Sequence, residues 1–165
     1  MFDKVILQET ADSLFRKHQT LAVAESVTAG LLQAAFAAAE NATAFFQGGI
    51  TAYNAKQKYT HLHIDILHAI SCNCVSESTA SEMALGVSNS FLSDWGIGIT
   101  GYASPLPGHD MNPLYAHFAI SFKNDVVKSG KITTNIKEPL QVQLVYVNRI
   151  LKELLDVLNT IDRID

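Results

Sequence analysis

Apolar and polar positions follow two rhythms along this chain, and each change of rhythm marks an element. Leu7, Ala11, Leu14 and His18 recur on one face with Phe15 beside them, which predicts an amphipathic helix over residues 4–18. The apolar stretch Leu21 to Val23 predicts a strand at about 20–25, and the alanine-rich segment after it a helix over 28–39. Gly48-Gly49 introduces Ile50-Thr51-Ala52-Tyr53, which reads as a short strand. Lys56 to His63 reads as a short helix, and Asp65 to Val75 as irregular. Ser76-Glu77 opens a further helix, with Thr79, Met83 and Val87 along one side and Ser76 as its cap. Trp95 to Thr100 is a buried-type strand ended by Gly101, and Tyr115–Phe122 with Asp125–Thr133 forms a hairpin around Lys123-Asn124-Asp125.

The most periodic segment is the last. Leu140, Leu144, Val147, Leu151, Leu154 and Leu158 recur at alternating spacings of four and three, an apolar seam on one long helix. Such a seam either packs on the sheet or makes a contact between copies. Helices at both ends and strands between them predict a three-layer α/β/α domain with a mixed, mostly parallel sheet, because the late hairpin cannot run wholly parallel to the earlier crossovers.

At 165 residues, with 48% hydrophobic and 17% charged, the chain suits one domain over 1–165 around one core. A net charge of -4 and dispersed lysines and arginines argue against a nucleic-acid partner. Residues 1–18 lack the plan of a signal peptide, and no apolar run approaches a bilayer's thickness, so no membrane partner and a cytoplasmic location are expected. Cys72 and Cys74 read as free thiols, too few for a zinc site, and the His61/His63 pair lacks further ligands at metal spacing. No metal or other cofactor is expected.

Ala24-Glu25-Ser26-Val27-Thr28-Ala29-Gly30 lies at a strand-turn-helix junction, where backbone N–H groups lack intrahelical partners. Ser26 stands there either as an oxygen nucleophile with oxyanion donors close by, or, like Thr28, as an ordinary helix cap. Tyr53 and Lys58, five apart across a strand-to-helix turn, can point to the same end of the sheet. A desolvated lysine can act as a base toward serine, and a tyrosine hydroxyl can relay a proton or hold the lysine. Lysines at 56 and 58 of a surface helix are equally readable as solvated.

The segments AESVTAG, FFQGGITAYNAKQK, VSESTASEMALG and ITGYASP together resemble, in order and spacing, the motifs of the CinA C-terminal domain family, which includes the nicotinamide-nucleotide amidases (PncC). The similarity spans roughly residues 5–158. It implies hydrolysis of the carboxamide of nicotinamide mononucleotide to nicotinate mononucleotide and ammonia, a small-molecule nucleotide substrate and no cofactor. Carried over by position, Ser26 matches the nucleophile, Lys58 the general base and Tyr53 its companion hydroxyl. Glu25, Thr28, Ala29 and Gly30 match the substrate side of the turn, with N–H groups around Thr28 to Gly30 holding the oxyanion. Thr100, Gly101 and Ser104 match the loop that receives the phosphate. A homo-oligomer is compatible with a chain of this size.

The departures are specific. Val27-Thr28-Ala29-Gly30 stands where the family has Cys-Thr-Gly-Gly, Ser104 replaces a glycine, and Pro113-Leu114-Tyr115-Ala116 replaces Pro-x-Gly-Thr. Lys137 and Gln141 occupy the places of arginines, which removes planar bidentate anion binding. Two other readings therefore stand beside the amidase: a non-catalytic ligand-binding or regulatory relative, and an interaction module using the C-terminal seam.

Overall fold

The computed structural model describes residues 1–161; the last four residues of the expected 1–165 domain lie outside the described residues. The chain runs α1 (Lys4–Arg16), β1 (Leu21–Glu25), α2 (Leu31–Ala37), α3 (Ala42–Phe45), β2 (Phe46–Thr51), α4 (Ala55–Leu62), α5 (Ile66–Ser71), α6 (Glu77–Phe91), β3 (Trp95–Gly101), β4 (Leu114–Phe122), β5 (Asp125–Thr134) and α7 (Pro139–Ile161). The five strands form one sheet in the order β2-β1-β3-β4-β5. It is mixed, as the pattern predicts: β1 pairs parallel with β2 and β3, and β4 is antiparallel to both β3 and β5. Among the described residues, no helix is long and apolar enough to cross a membrane.

Alternation along the central strands explains the three layers. Leu21 and Val23 of β1, with Ile97 and Ile99 of β3, face the core shared with α1, α2 and α7. Ala22 and Ala24 face the opposite core with Leu62, Met83 and Val87. Every residue of β1 is therefore buried, as a parallel strand covered on both sides must be. Gly96 and Gly98 of β3 lie under α6, where a Cβ would strike the carbonyl oxygens of Ala84 and Ala80. Small residues here let a helix backbone approach the sheet.

The C-terminal seam packs inward. Val147, Leu151, Leu154 and Leu158 are fully buried in the core shared with α1 and the sheet, while Leu140 at the helix start is half exposed. Each such side chain contributes roughly 1.5–3 kcal/mol through removal from water. That burial engages these four side chains within the domain, while Leu140 and Leu144 are not fully covered.

Several boundaries differ from the pattern, for physical reasons. The helix expected over 28–39 begins only at Leu31, because Ala29 and Gly30 adopt positive φ (50° and 100°) and hold the chain in a turn. The Gly48-Gly49 pair sits inside β2 rather than before it, and Gly49 has no room for a side chain against the Val23 carbonyl. The stretch read as irregular contains α5, whose first turn is capped by the Asp65 carboxylate accepting from Leu67 and His68. The short α3 has no counterpart in the apolar pattern. By contrast, Ser76 caps α6 as expected, accepting from the Thr79 N–H, and the hairpin turns at Lys123-Asn124, both at positive φ.

Candidate active site

Register places the site. Glu25 pairs with Thr51 of β2 and with Ile99 of β3, so the carboxyl ends of three parallel strands lie in one row. The chain leaves β1 toward β2 on one side, and β3 flanks β1 on the other. A crevice outside the strand ends at such a reversal is the usual ligand position in open α/β sheets. Here it holds a cavity of about 490 Å³, within the range of small-molecule sites.

Ser26 is the first residue past β1, its N–H still donating to the Ile99 carbonyl. It is buried but lines the cavity. The cap reading of Ser26 and Thr28 is corrected by Glu25, whose carboxylate accepts from the N–H groups of Gly30 (3.2 Å), Leu32 (2.9 Å) and Gln33 (2.8 Å). A charged acceptor at the positive end of α2 satisfies these amides, and no side chain of the cap residue itself does so. The Ser26 hydroxyl is thereby left for other work.

That hydroxyl meets Lys58. Asn54 caps α4 by accepting from the Gln57 N–H, and the first turn then carries Lys58 back under the sheet edge while Lys56 points to solvent. Lys58 is 1% exposed, with Nζ 2.8 Å from Ser26 Oγ and 2.8 Å from the Ala52 carbonyl oxygen. The Ala52 N–H donates to the Glu25 carbonyl, so the β1–β2 edge fixes the acceptor that orients the lysine. Burial holds the Lys58 amine below its ordinary value, opposed by the neighbouring Cys74. Burial likewise pushes the Cys74 thiol up, while Lys58 draws it down. A neutral amine can donate to Ala52 and accept the Ser26 hydroxyl proton on its lone pair.

The other residues singled out from the sequence divide. Tyr53 lines the cavity at its rim, 69% exposed, and its hydroxyl has no hydrogen bond among the described residues. The Ala52 carbonyl, one residue earlier, holds the lysine instead, because it is the group locked to the strand edge. Thr100, Gly101 and Ser104 line the cavity, but the Thr100 hydroxyl already donates to the Cys74 carbonyl (2.7 Å). Glu25, Thr28, Ala29 and Gly30 do not line it. Glu25 is buried as the α2 cap, and Thr28 is buried beneath the turn with Oγ1 unpartnered among the described residues. The Ala29 N–H donates to the Ser26 carbonyl and the Gly30 N–H to Glu25, so neither is available to an oxyanion. Within the turn the N–H groups of Val27, which lines the cavity, and of Thr28, which does not, have no acceptor among the described residues.

Three features were not legible in the spacing. Asn73 and Cys74, just before the VSE segment, and Tyr102, just after Gly101, line the cavity wall. Gln143 of α7 donates to the Val27 carbonyl (2.8 Å) and so ties the turn after β1 to the C-terminal helix. Lys137 and Gln141 are exposed and outside the cavity. Among the described residues no cluster of three His, Cys, Asp or Glu side chains is placed to hold a metal.

Comparison with known proteins agrees with this architecture. The model of the CinA C-terminal domain matches residues 3–158. A CinA-like protein of Gloeobacter violaceus is 36% identical over 120 residues, covering 72% of this chain and 28% of its own. A putative competence-damage inducible protein of Streptococcus pneumoniae is 36% identical over 119 residues, covering 71% and 28%. The chain thus spans little more than a quarter of the length of these curated relatives. A competence-damaged protein (CinA) superfamily structure from Klebsiella pneumoniae superposes with a TM-score of 0.89 at 25% identity, covering 97% of this chain and 99% of that one. A competence/damage inducible protein from Agrobacterium tumefaciens, at 20% identity and a TM-score of 0.84, shares the fold. With residues 3–158 matched by the family model, the chain belongs to the CinA C-terminal domain family.

Proposed function

We propose that this domain is a cytoplasmic serine-lysine amidohydrolase that converts nicotinamide mononucleotide to nicotinate mononucleotide and ammonia. The observation that carries this reading is the buried 2.8 Å contact between Lys58 Nζ and Ser26 Oγ at the floor of the cavity. A lysine enclosed without a carboxylate partner is costly unless neutral, and a neutral amine beside a hydroxyl is a base beside a nucleophile.

The steps follow from these atoms. Lys58 accepts the Ser26 proton as Oγ attacks the carboxamide carbon, and the amide oxygen takes the negative charge beside the N–H group of Val27. Lys58 returns the proton to the departing nitrogen, the C–N bond breaks and ammonia leaves, with an acyl ester on Ser26. A water molecule then attacks the ester as Lys58 takes its proton, the carboxylic acid departs and Ser26 recovers its hydrogen. The Ala52 carbonyl holds the amine in line throughout.

The test is ammonia release from nicotinamide mononucleotide by purified protein, repeated with Ser26→Ala and Lys58→Met. Turnover by the wild type that falls by ~10³-fold or more in each variant is expected, since groups acting as one unit fail together. Folded wild-type protein without turnover refutes the reading, and turnover surviving Ser26→Ala refutes the nucleophile. A ligand-binding relative without catalysis is favoured by one observation: the Thr100 hydroxyl and the Ala29 and Gly30 amides, assigned to substrate by resemblance, are already bonded within the protein. Saturable binding without ammonia release distinguishes it.

A further inference from the structure

At the end of α5 the chain brings a thiol and an imidazole together in a place that the serine-lysine chemistry does not use. His68 and Cys72 are four residues apart, the spacing that sets two side chains on one helix face. Cys72 Sγ lies 3.8 Å from His68 Nε2, and both residues are half-buried, so solvent reaches them. Their other neighbours are weak donors to a metal. Cys72 Sγ donates to the carbonyl oxygens of His68 (3.3 Å) and Ala69 (3.6 Å) and lies 3.9 Å from Thr79 Oγ1. Ser76 Oγ donates to Thr79 Oγ1 (3.0 Å), so at 3.0 Å from His68 Nε2 it accepts the imidazole hydrogen. Among the described residues, no carboxylate or ammonium is hydrogen-bonded to either side chain.

The separation suits a shared ion. Bonds of ~2.3 Å to sulfur and ~2.0 Å to nitrogen, the lengths found for zinc, enclose an angle of roughly 125° when the two donors stand this far apart. A zinc-type ion needs further ligands, and among the described residues no cluster of three His, Cys, Asp or Glu side chains supplies them. A monovalent d10 ion needs only two, and thiolate and imidazole are donors that suit it. The proton count closes as well. Cys72 gives its thiol hydrogen to solvent, and His68 carries its one hydrogen on Nδ1 instead of Nε2, which frees a lone pair for the metal. One cation enters, one proton leaves, and nothing is oxidised or reduced.

We propose that His68 and Cys72 form a two-ligand site for a thiophilic monovalent cation, Cu(I), next to the cavity wall. Asn73 and Cys74 follow directly and line the cavity. Asn73 Nδ2 donates to the Tyr102 hydroxyl (3.2 Å), and the Cys74 carbonyl accepts from the Thr100 hydroxyl (2.7 Å). An ion on Cys72 therefore clips α5 to the segment that supplies two residues of the wall. Cys74 is outside the ligand set, since its sulfur makes no contact with His68 among the described residues and has Lys58 as its charged neighbour. The site is independent of the amidase reading.

The experiment is an anaerobic titration of the reduced, untagged chain into the coloured complex of Cu(I) with ferrozine, with loss of colour as the readout. The wild type takes one Cu(I) per chain. Cys72→Ser and His68→Gln each weaken that binding at least tenfold, and Cys74→Ser and His61→Gln stay within threefold of the wild type. X-ray absorption of the loaded wild type, which needs no variant to fold, shows one sulfur and one nitrogen on copper. Colour that persists with the wild type overturns the proposal. So does a loss in Cys74→Ser equal to that in Cys72→Ser, which would make the two thiols the site. Unchanged binding in His68→Gln, or two sulfurs on copper, overturns it equally.

Discussion

Lys58 Nζ lies 2.8 Å from Ser26 Oγ although the two residues are 32 positions apart, and both are buried. The parallel register of β1 and β2 brings them together: Ser26 follows the end of one strand, and Lys58 sits one helical turn past the end of its neighbour. Charge on the lysine is therefore the variable on which chemistry and stability both turn.

Activity should rise with pH. The Lys58 amine lies below its ordinary 10.5 because of burial, so the neutral base becomes available as pH climbs through that lowered value. The expected kcat/KM profile has an ascending limb that levels off below pH 10.5. A profile flat across this range would show that Lys58 only positions groups.

Stability should carry the same signature. Between the lowered folded value and 10.5, the unfolded chain holds a proton that the folded chain has lost, so folding stability rises with pH across that window and the full penalty applies below it. Lys58→Met removes the titration. Urea unfolding at several pH values should find the variant gaining most on the wild type at the acid end, with the difference shrinking toward pH 10.5. A difference independent of pH would contradict a buried, neutral-held amine.

Glu25→Ala should destabilise the protein by about 2–3 kcal/mol, because three amides at the start of α2 lose a charged acceptor inside the structure. The loss is read as a lowered midpoint in chemical denaturation. Activity measured well below the new midpoint falls as well, since Ser26 adjoins the loosened turn. An unchanged midpoint would mean that water replaces the carboxylate.

Ala29→Gly should leave activity in place, because Ala29 is exposed and outside the cavity. Its φ of 50° costs an L-residue about 1 kcal/mol, an expense that glycine avoids while losing some unfolded-state advantage. The expected change in stability is between zero and roughly 1 kcal/mol of gain. A loss of turnover would place this turn in direct contact with substrate.

Gly98→Ala tests the sheet beneath α6. Its Cβ would meet the Ala80 carbonyl and come 2.6 Å from the Ala84 nitrogen, so the helix must move. A loss of about 1–3 kcal/mol is expected from overpacking. Leu151→Ala, at the buried seam, should cost about 2–5 kcal/mol without changing the mass in solution. A change of oligomeric state instead would return the seam to an intermolecular role.

Much was determined by the sequence alone, wherever the physics was local. The spacing of Leu151, Leu154 and Leu158 specifies a helix with one buried face, Ser76 beside Glu77 specifies a capped start, and Lys123-Asn124 specifies a tight hairpin, because each depends on neighbours within a turn or two. The ordered motifs likewise identified the family and drew attention to Ser26 and Lys58. Only the tertiary structure decided that Glu25, rather than Ser26 or Thr28, caps α2, and that Ala52, rather than Tyr53, holds the lysine. It also decided that the Tyr115 ring packs against Tyr102 while Tyr115 itself does not line the cavity. These outcomes depend on strand register and on which polar groups compete for one another across the sheet edge, and spacing along a chain does not encode that competition.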